Sequence, residues 1–242
     1  MNDHQLAAQL AAEAGRLLLG VREELADAPQ AERKAVGDKR SHDYLMTALG
    51  AERPDDAVLS EEGADDPVRL QAERVWIVDP LDGTREFSEP DRDDWAVHVA
   101  LWQAGELTAG AIALPARGIT LATPTVSAPP EHSGPPRIAV SRSRPPALAE
   151  TVRDRLDGVL VPMGSAGVKV AAVIQGIADV YVHAGGQYEW DSAAPVAVAR
   201  AAGLHTSRID GSPLAYNRPD PLLPDLVVCR PEYARTVLAA IG

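Results

Sequence analysis

The feature that most constrains this chain is an apolar segment that runs directly into a group of acidic residues. Residues 75–78 read Val-Trp-Ile-Val, a pattern typical of a buried strand, and Asp-Pro-Leu-Asp-Gly-Thr follows at once as residues 79–84. Pro80 has no N–H group for strand pairing, so we expect the strand to end there and the chain to turn. Such a turn would collect several oxygen donors at the end of a strand.

The oxygen donors of this turn are suited to a divalent cation. The carboxylates of Asp79 and Asp82 and the carbonyl of Leu81 can point at one place, and hard cations prefer oxygen ligands. Gly83 permits close approach of the backbone, and Thr84 can begin a helix whose free N–H groups face an anion. A cation beside a helix N-terminus makes a phosphate site. Taken alone, the same residues also fit an ordinary Pro-Asp-Gly turn with a capping threonine.

The charge of the chain is strongly negative and unevenly distributed. The formal net charge is −12, and between residues 52 and 94 acidic residues outnumber basic ones by ten. This balance argues against a nucleic-acid polymer as partner, because phosphate backbones require a basic surface. The acidic residues form either a solvated face or ligands for hard cations, and composition alone leaves both open.

The hydrophobic pattern of residues 1–123 predicts an α+β lobe that carries most of the acidic residues. Ser41 is expected to be the N-cap of a second helix that ends at Gly50, after a loop at Gly37-Asp38. The other predicted elements are a helix over 3–25 and strands over 57–60, 75–78, 95–101, 107–114 and 119–122.

Residues 124–136 include five prolines and are expected to connect this lobe to a second one. Beyond them strands and helices alternate, which predicts an α/β lobe over 137–242. The predicted strands cover 138–140, 159–161, 180–182 and 226–228, and the predicted helices cover 146–156, 165–175, 191–202 and 231–241.

Three motifs occur in a fixed order along the chain. They are Ser60-Glu61-Glu62, the Asp-Pro-Leu-Asp-Gly-Thr of residues 79–84, and the Glu-Trp-Asp-Ser-Ala-Ala of residues 189–194. Together they resemble the signature of the inositol-monophosphatase-like superfamily. The Glu-Trp-Asp motif, Arg85 and the segment Ser141-Arg142-Ser143 resemble its CysQ-type 3′(2′),5′-bisphosphate nucleotidases in particular. The resemblance implies a layered α-β-α-β-α sandwich and a phosphatase that uses two or three Mg²⁺ ions.

The resemblance also implies the roles of the acidic residues. Glu61, Asp79 and the Leu81 carbonyl would bind a first Mg²⁺, and Asp79, Asp82 and Asp191 a second one. Asp191 would in any case be a normal N-cap of the helix that follows it. Two cations bound in this way would offset the charge of the carboxylates and admit a phosphate.

A catalytic pair is implied as well. In the family a threonine hydroxyl orients the attacking water and an aspartate accepts its proton. Thr84 supplies the hydroxyl, and Asp43 in Ser41-His42-Asp43 is the candidate for the carboxylate. The helix dipole alone would also favour an aspartate such as Asp43 in the first turn of the predicted helix. Asp38, in the predicted loop before that helix, is the alternative.

The substrate implied by the resemblance is a phosphorylated small molecule, with 3′-phosphoadenosine 5′-phosphate (PAP), a by-product of sulfate assimilation, as the leading candidate. Its scissile phosphate would be bound by Gly83 and Thr84. A second phosphate requires cations, and the remaining candidate contacts are Arg85, Ser141, Arg142, Ser165, Lys169 and Glu189. Inositol monophosphatase or fructose-1,6-bisphosphatase activity is the alternative. A non-catalytic binding protein on this fold is disfavoured, because every metal-ligating position is retained.

Location and assembly are expectations of the same kind. Cys229 is the one cysteine, no segment reaches the length of a membrane span, and the first residues lack the basic region of a signal peptide. We therefore expect a cytoplasmic protein without membrane contact. Relatives in the resembled family are often dimers, so a homodimer is expected.

Overall fold

The computed structural model describes residues 1–143 and 145–242, and its first half contains one sheet and three helices. Helices α1 and α2 come first, and β1, β2, α3, β3, β4 and β5 follow. Their bounds are α1 Asp3–Glu24, α2 Gln30–Glu52, β1 Ala57–Ser60, β2 Arg74–Asp82, α3 Thr84–Ser88, β3 Ala96–Gln103, β4 Glu106–Leu114 and β5 Ile119–Ala122.

The second half alternates strands and helices, as the sequence predicts. It contains five strands and four helices within the described residues. Their bounds are β6 Arg137–Ser141, α4 Ala147–Leu156, β7 Val159–Met163, α5 Ala166–Ile174, β8 Val180–Ala184, α6 Glu189–Ala201, β9 His205–Ser207, β10 Asp225–Cys229 and α7 Pro231–Ile241.

Each half forms one five-stranded sheet. The first has the order β1-β2-β3-β4-β5, in which β1 is parallel to β2 and the other neighbours are antiparallel. The second has the order β7-β6-β8-β10-β9. Strands β7, β6 and β8 are parallel to one another, and β10 is antiparallel to both of its neighbours, β8 and β9. Parallel strands need crossover helices, and α4 and α5 supply them.

The two sheets and the helices stack into five layers. Helices α1 and α2 pack against the outer face of the first sheet in one hydrophobic cluster. Helices α5 and α6 lie between the sheets in a second cluster, and α4 and α7 cover the outer face of the second sheet in a third. This arrangement confirms the predicted α-β-α-β-α sandwich. The middle cluster includes residues of both sheets, so the division into lobes 1–123 and 137–242 with a connector at 124–136 stays a prediction.

Helix α2 begins earlier than the sequence predicts. The loop at Gly37-Asp38 and the N-cap at Ser41 are wrong, because α2 runs without a break from Gln30 to Glu52. Gly37 serves close packing: a Cβ built there would lie 2.6 Å from Cε1 of Phe87. The Ser41 hydroxyl donates a hydrogen bond to the Pro80 carbonyl at 2.7 Å. A glycine in a helix was therefore misinterpreted as a loop signal.

Strand β2 also differs from its prediction. It continues through Pro80 to Asp82, and the pairing register with β3 shifts between Asp79 and Asp82. The missing N–H group of Pro80 thus falls in an irregularity of the ladder, which lets both aspartates lie near one end of the strand. Within the described residues no helix combines the length and apolarity needed to cross a membrane.

Candidate active site

Three carboxylates from distant parts of the chain meet at the end of β2. Asp79 and Asp82 come from β2, and Asp191 comes from the first turn of α6. Each of the three residues offers one carboxylate oxygen, and these three oxygens lie within 4.8 Å of one another. Asp79 and Asp82 are buried, and Asp191 is half-buried. The predicted metal ligands of β2 and α6 are therefore brought together.

Asp79 lies among other carboxylates, and no lysine or arginine in the described part of the chain forms an ion pair with it. Burial, with the nearby charges of Glu61, Asp82 and Asp191, raises the pKa of Asp79 well above its usual value. Desolvation and the charges of Asp82 and Glu62 also raise the pKa of Glu61. Asp79 Oδ1 accepts one bond, from the Leu81 N–H at 2.9 Å. An all-oxygen group of mutually repelling carboxylates fits a divalent cation.

Asp82 connects the two halves of the molecule. Its Oδ1 accepts a hydrogen bond from the Ala166 N–H at 3.1 Å, and its Oδ2 accepts one from the Gly167 N–H at 2.6 Å. Ser165, the N-cap of α5, donates its hydroxyl to Asp82 at 2.5 Å and accepts from the Val168 N–H at 3.0 Å. The start of α5 thus compensates the Asp82 charge. Ser165, predicted to bind substrate, donates to a carboxylate that is predicted to bind metal.

Asp191 is held by the start of α6. It is the third residue of that helix rather than its N-cap, which is Tyr188, and its Oδ2 accepts a hydrogen bond from the Tyr188 N–H at 2.7 Å. Burial and the charge of Asp82 raise the pKa of Asp191 to about 7. No hydrogen bond within the described residues engages Asp191 Oδ1. One oxygen caps the helix and the other is available to a cation.

The structure places Asp38 rather than Asp43 beside Thr84. Asp43 is exposed and forms an ion pair with Lys39 at 2.6 Å, one helical turn away. Burial, with the charges of Glu62 and Glu61, raises the pKa of Asp38 to about 7, and the nearby Thr84 side chain acts in the opposite direction. The geometry thus does not bring the first candidate carboxylate to the site, but it brings the alternative.

A cavity of about 200 Å³ opens next to the carboxylate cluster. Gly83, Ser141 and Lys169 line it, together with Asp82, Pro146, Ser165, Ala166, Tyr181, Val182, His183, Gln187 and Asp191. Lys169 is buried, its Nζ donates to the Gly164 carbonyl at 3.2 Å and to the Ser165 carbonyl, and burial lowers its pKa. The cavity therefore extends from the carboxylates of Asp82 and Asp191 to the buried ammonium group of Lys169.

The two arginines predicted to bind substrate do not line this cavity. Arg142 Nη2 lies 2.8 Å from Glu86 Oε1 and 3.4 Å from Glu89 Oε2. Arg85 is exposed and lies 3.3 Å from the other carboxylate oxygen of Glu89. Their charges are paired with carboxylates in or next to α3. Sequence spacing could not reveal the pair of Arg142 and Glu86, which are distant along the chain, whereas Arg85 and Glu89 are four residues apart.

Glu189 is also located differently from its prediction. It is buried, and its carboxylate accepts hydrogen bonds from the N–H groups of Asn217 at 2.7 Å and Arg218 at 2.8 Å. Burial raises the pKa of Glu189 to about 7 despite these bonds. Both carboxylate oxygens of Glu189 are engaged by the loop before β10. Glu189 therefore fixes this loop, whereas the sequence predicted a contact with the substrate.

One buried polar residue of the site has no counterpart in the sequence analysis. His98 of β3 is fully buried, with Nδ1 3.1 Å from the Trp190 carbonyl oxygen and Nε2 3.3 Å from Asp82 Oδ2. Burial lowers the pKa of His98. The available signal was a histidine within the otherwise apolar strand of residues 95–101.

With this geometry in place, comparison with known proteins identifies the class. The chain belongs to the inositol monophosphatase family, whose model matches residues 3–241. A crystal structure of CysQ from Bacteroides thetaiotaomicron, a bacterial member of that family, is 29% identical with a TM-score of 0.77, covering 93% of this chain and 96% of the other. The family resemblance of the three motifs is confirmed.

Two curated relatives are more informative about the kind of enzyme. The 3′-phosphoadenosine 5′-phosphate phosphatase of Mycobacterium tuberculosis is 55% identical over 240 residues, covering 95% of this chain and 90% of the relative. The 3′(2′),5′-bisphosphate nucleotidase CysQ of Escherichia coli is 34% identical over 196 residues, covering 75% of this chain and 78% of the relative.

Proposed function

We propose that this protein is a Mg²⁺-dependent phosphomonoesterase that hydrolyses the 3′-phosphate of PAP to give AMP and phosphate. The observation that carries the proposal is the meeting of Asp79, Asp82 and Asp191 beside Gly83, Thr84 and a cavity with a buried lysine. The mycobacterial relative, similar over nearly the whole chain, supports PAP as the substrate.

The cations would be held by residues of both halves. Asp79, Asp82 and Asp191 are the ligands that the geometry favours, and the charge of Glu61 acts on Asp79. Glu61 and the Leu81 carbonyl, which accepts a hydrogen bond from Thr84, would complete the ligand set. Bound Mg²⁺ would neutralise the phosphate and stabilise the charge that develops on the attacking and leaving oxygens. The raised pKa of Asp79 supports this role, because a cation removes the repulsion that raises it.

Proton transfer from the attacking water falls to Asp38 and Thr84. The Thr84 hydroxyl donates to the Leu81 carbonyl oxygen at 3.2 Å and lies beside Asp38, so the two side chains can together orient a water between α2 and the end of β2. Asp38 then accepts the proton. A carboxyl whose pKa is about 7 is suited to this exchange near neutral pH.

The substrate would be bound at its two phosphates. The N–H groups of Gly83 and Thr84 at the start of α3 face the scissile 3′-phosphate, and Gly83 adopts a φ of +84° that suits glycine. Lys169 and Ser141 line the cavity on the other side and would bind the 5′-phosphate. Arg142 and Arg85 are less suited, since carboxylates already pair with both.

A comparison of substrates tests the proposal. Initial rates of phosphate release are measured with PAP, inositol 1-phosphate and fructose 1,6-bisphosphate, using one preparation of the protein with Mg²⁺. We expect the highest kcat/KM for PAP: inositol 1-phosphate has no second phosphate to match the buried charge of Lys169, and the similarity to the mycobacterial PAP phosphatase favours PAP over the sugar bisphosphate. A higher kcat/KM for either of the other substrates would replace the nucleotidase with an inositol monophosphatase or a fructose bisphosphatase. Absence of hydrolysis of all three would favour a binding protein.

A further inference from the structure

His98 lies at the centre of the first sheet, directly opposite Asp79. The two residues are paired across β2 and β3, at the last pair before the register shift. The side chain of His98 is fully buried and points to the same face of β3 as Ala96 and Ala100, toward the helices of the middle layer. A polar ring at such a position requires partners of its own.

One nitrogen of the ring contacts the helix that carries Asp191. His98 Nδ1 lies 3.1 Å from the carbonyl oxygen of Trp190, the residue before Asp191. A carbonyl oxygen only accepts hydrogen bonds, so Nδ1 carries a proton and donates it. The hydrogen bond connects the sheet that bears Asp79 to the first turn of α6.

The other nitrogen contacts the helix that supports Asp82. His98 Nε2 lies 3.3 Å from Asp82 Oδ2 and makes no hydrogen bond among the described residues. The ring fills the space that Gly167 leaves free, since a Cβ built on Gly167 would lie 1.9 Å from Nε2. Gly167 is also a donor to Asp82. The imidazole of His98 therefore contacts both α6, which carries Asp191, and α5, whose first turn donates hydrogen bonds to Asp82.

We propose that His98 is a positioning residue that sets the relative placement of Asp79, Asp82 and Asp191, and so the affinity of the site for its cations. The inference rests on the proposed function, since it assigns a role within the same site. His98 binds neither substrate nor reacting atoms. Its hydrogen bond to Trp190 and its packing against Gly167 fix helices α6 and α5 to the strand that faces Asp79.

Titration of the substrate-free protein with Mg²⁺ in a calorimeter tests this role without relying on activity. We expect H98A to weaken Mg²⁺ binding by about tenfold or more, as the loss of groups that orient ligands does elsewhere. H98N retains an amide N–H at the position of Nδ1, so we expect its affinity within about threefold of wild type. H98Q cannot donate to Trp190 from that position and should resemble H98A. In turnover the loss should appear in kcat more than in KM for PAP at saturating Mg²⁺.

Val99 supplies the matched control. It is the next residue of β3, equally buried, but it belongs to the cluster on the opposite face of the sheet. V99A should lower the melting temperature and leave Mg²⁺ affinity unchanged. H98A, or H98Q if H98A does not fold, binding Mg²⁺ as tightly as wild type would overturn the inference, and so would equal affinities of H98N and H98Q. A wild-type protein that binds no Mg²⁺ would instead contradict the proposed function.

Discussion

Two aspartates of helix α2 separate the proposed proton acceptor from a surface residue. Asp38 is next to Thr84, whereas Asp43 pairs with Lys39 at the surface. We expect D38N to lower kcat for PAP by about 10²–10⁴, the usual contribution of a general base. D43N should leave kcat within about twofold, since exposed ion pairs contribute little. Steady-state rates of both variants decide the assignment, and a larger loss for D43N would return the role to that residue.

Lys169 and Arg142 make a second comparison at this scale. A charge-assisted contact is worth about 1.5–3 kcal/mol, so K169M should lower kcat/KM for PAP by roughly one to two decades, mainly through KM. R142A removes a cation already paired with Glu86 and should cost much less. Neither change should alter turnover of inositol 1-phosphate, which has no second phosphate. The larger loss in R142A would place the 5′-phosphate near α3 instead of in the cavity.

Single residues were predictable where a local motif determines them. Asp79 and Asp82 could be identified because they end an apolar strand, and Asp191 because its Glu-Trp-Asp motif resembles a family signature; the fold brings the three within 4.8 Å. Glu189 could not be assigned, because its partners at Asn217 and Arg218 belong to a distant loop.

Helix α2 shows how an element positions a residue of the site. Gly37 packs against Phe87, with no room for a Cβ, and this close approach brings the adjacent Asp38 to Thr84. We expect G37A to cost about 1–3 kcal/mol of stability through overpacking and to lower kcat as α2 is displaced. Denaturant unfolding and PAP turnover measure the two effects.

Gly50 lies in the same helix and is the control. A Cβ built there meets nothing within 4 Å. G50A should keep kcat and raise the free energy of unfolding by up to about 1 kcal/mol, the helix propensity difference between the two residues. Equal effects of G37A and G50A would mean that close packing at Gly37 does not position Asp38.

Elements were predictable where their own residues specify them. The strands of both sheets are short apolar runs, and the structure contains a strand at each predicted place. The start of α2 was missed because Gly37-Asp38 has the composition of a loop, although packing against α3 and β2 makes the segment helical. Strand β9 was missed because His-Thr-Ser has little strand character of its own and pairs only once β10 is present.

The whole molecule carries an electrostatic strain that depends on pH. Burial and like charges raise the pKa of Asp38 and of Asp191 to about 7, and that of Asp79 well above its usual value. Between pH 4 and 7, roughly, the folded protein holds protons that the unfolded chain has released. These carboxyls should therefore lower the free energy of unfolding of the metal-free protein as pH rises through this window, while the lowered pKa of His98 acts in the opposite direction. Glu189, whose pKa is also raised to about 7, adds to the trend.

Mg²⁺ should reverse the part of this trend that arises in the metal site. Cations bind the ionised carboxylates, so the rise in melting temperature on adding Mg²⁺ should be larger at pH 8 than at pH 5.5. Thermal unfolding at pH 5.5 and pH 8, with EDTA or with excess Mg²⁺, measures this rise in melting temperature. A Mg²⁺-induced rise in melting temperature that is no larger at pH 8 than at pH 5.5 would contradict the assigned repulsion.

The central claim is that the cluster of Asp79, Asp82 and Asp191 holds the cations that make PAP hydrolysis possible. D79N tests it most directly, because the amide keeps the shape of the side chain and the bond from Leu81 while removing one buried charge. The decisive measurement is the rate of phosphate release from PAP at saturating Mg²⁺, with thermal unfolding of the same samples. We expect the rate to fall by more than about 10²-fold, while the metal-free protein melts at or above the wild-type temperature. Folded D79N that hydrolyses PAP at the wild-type rate would contradict the account.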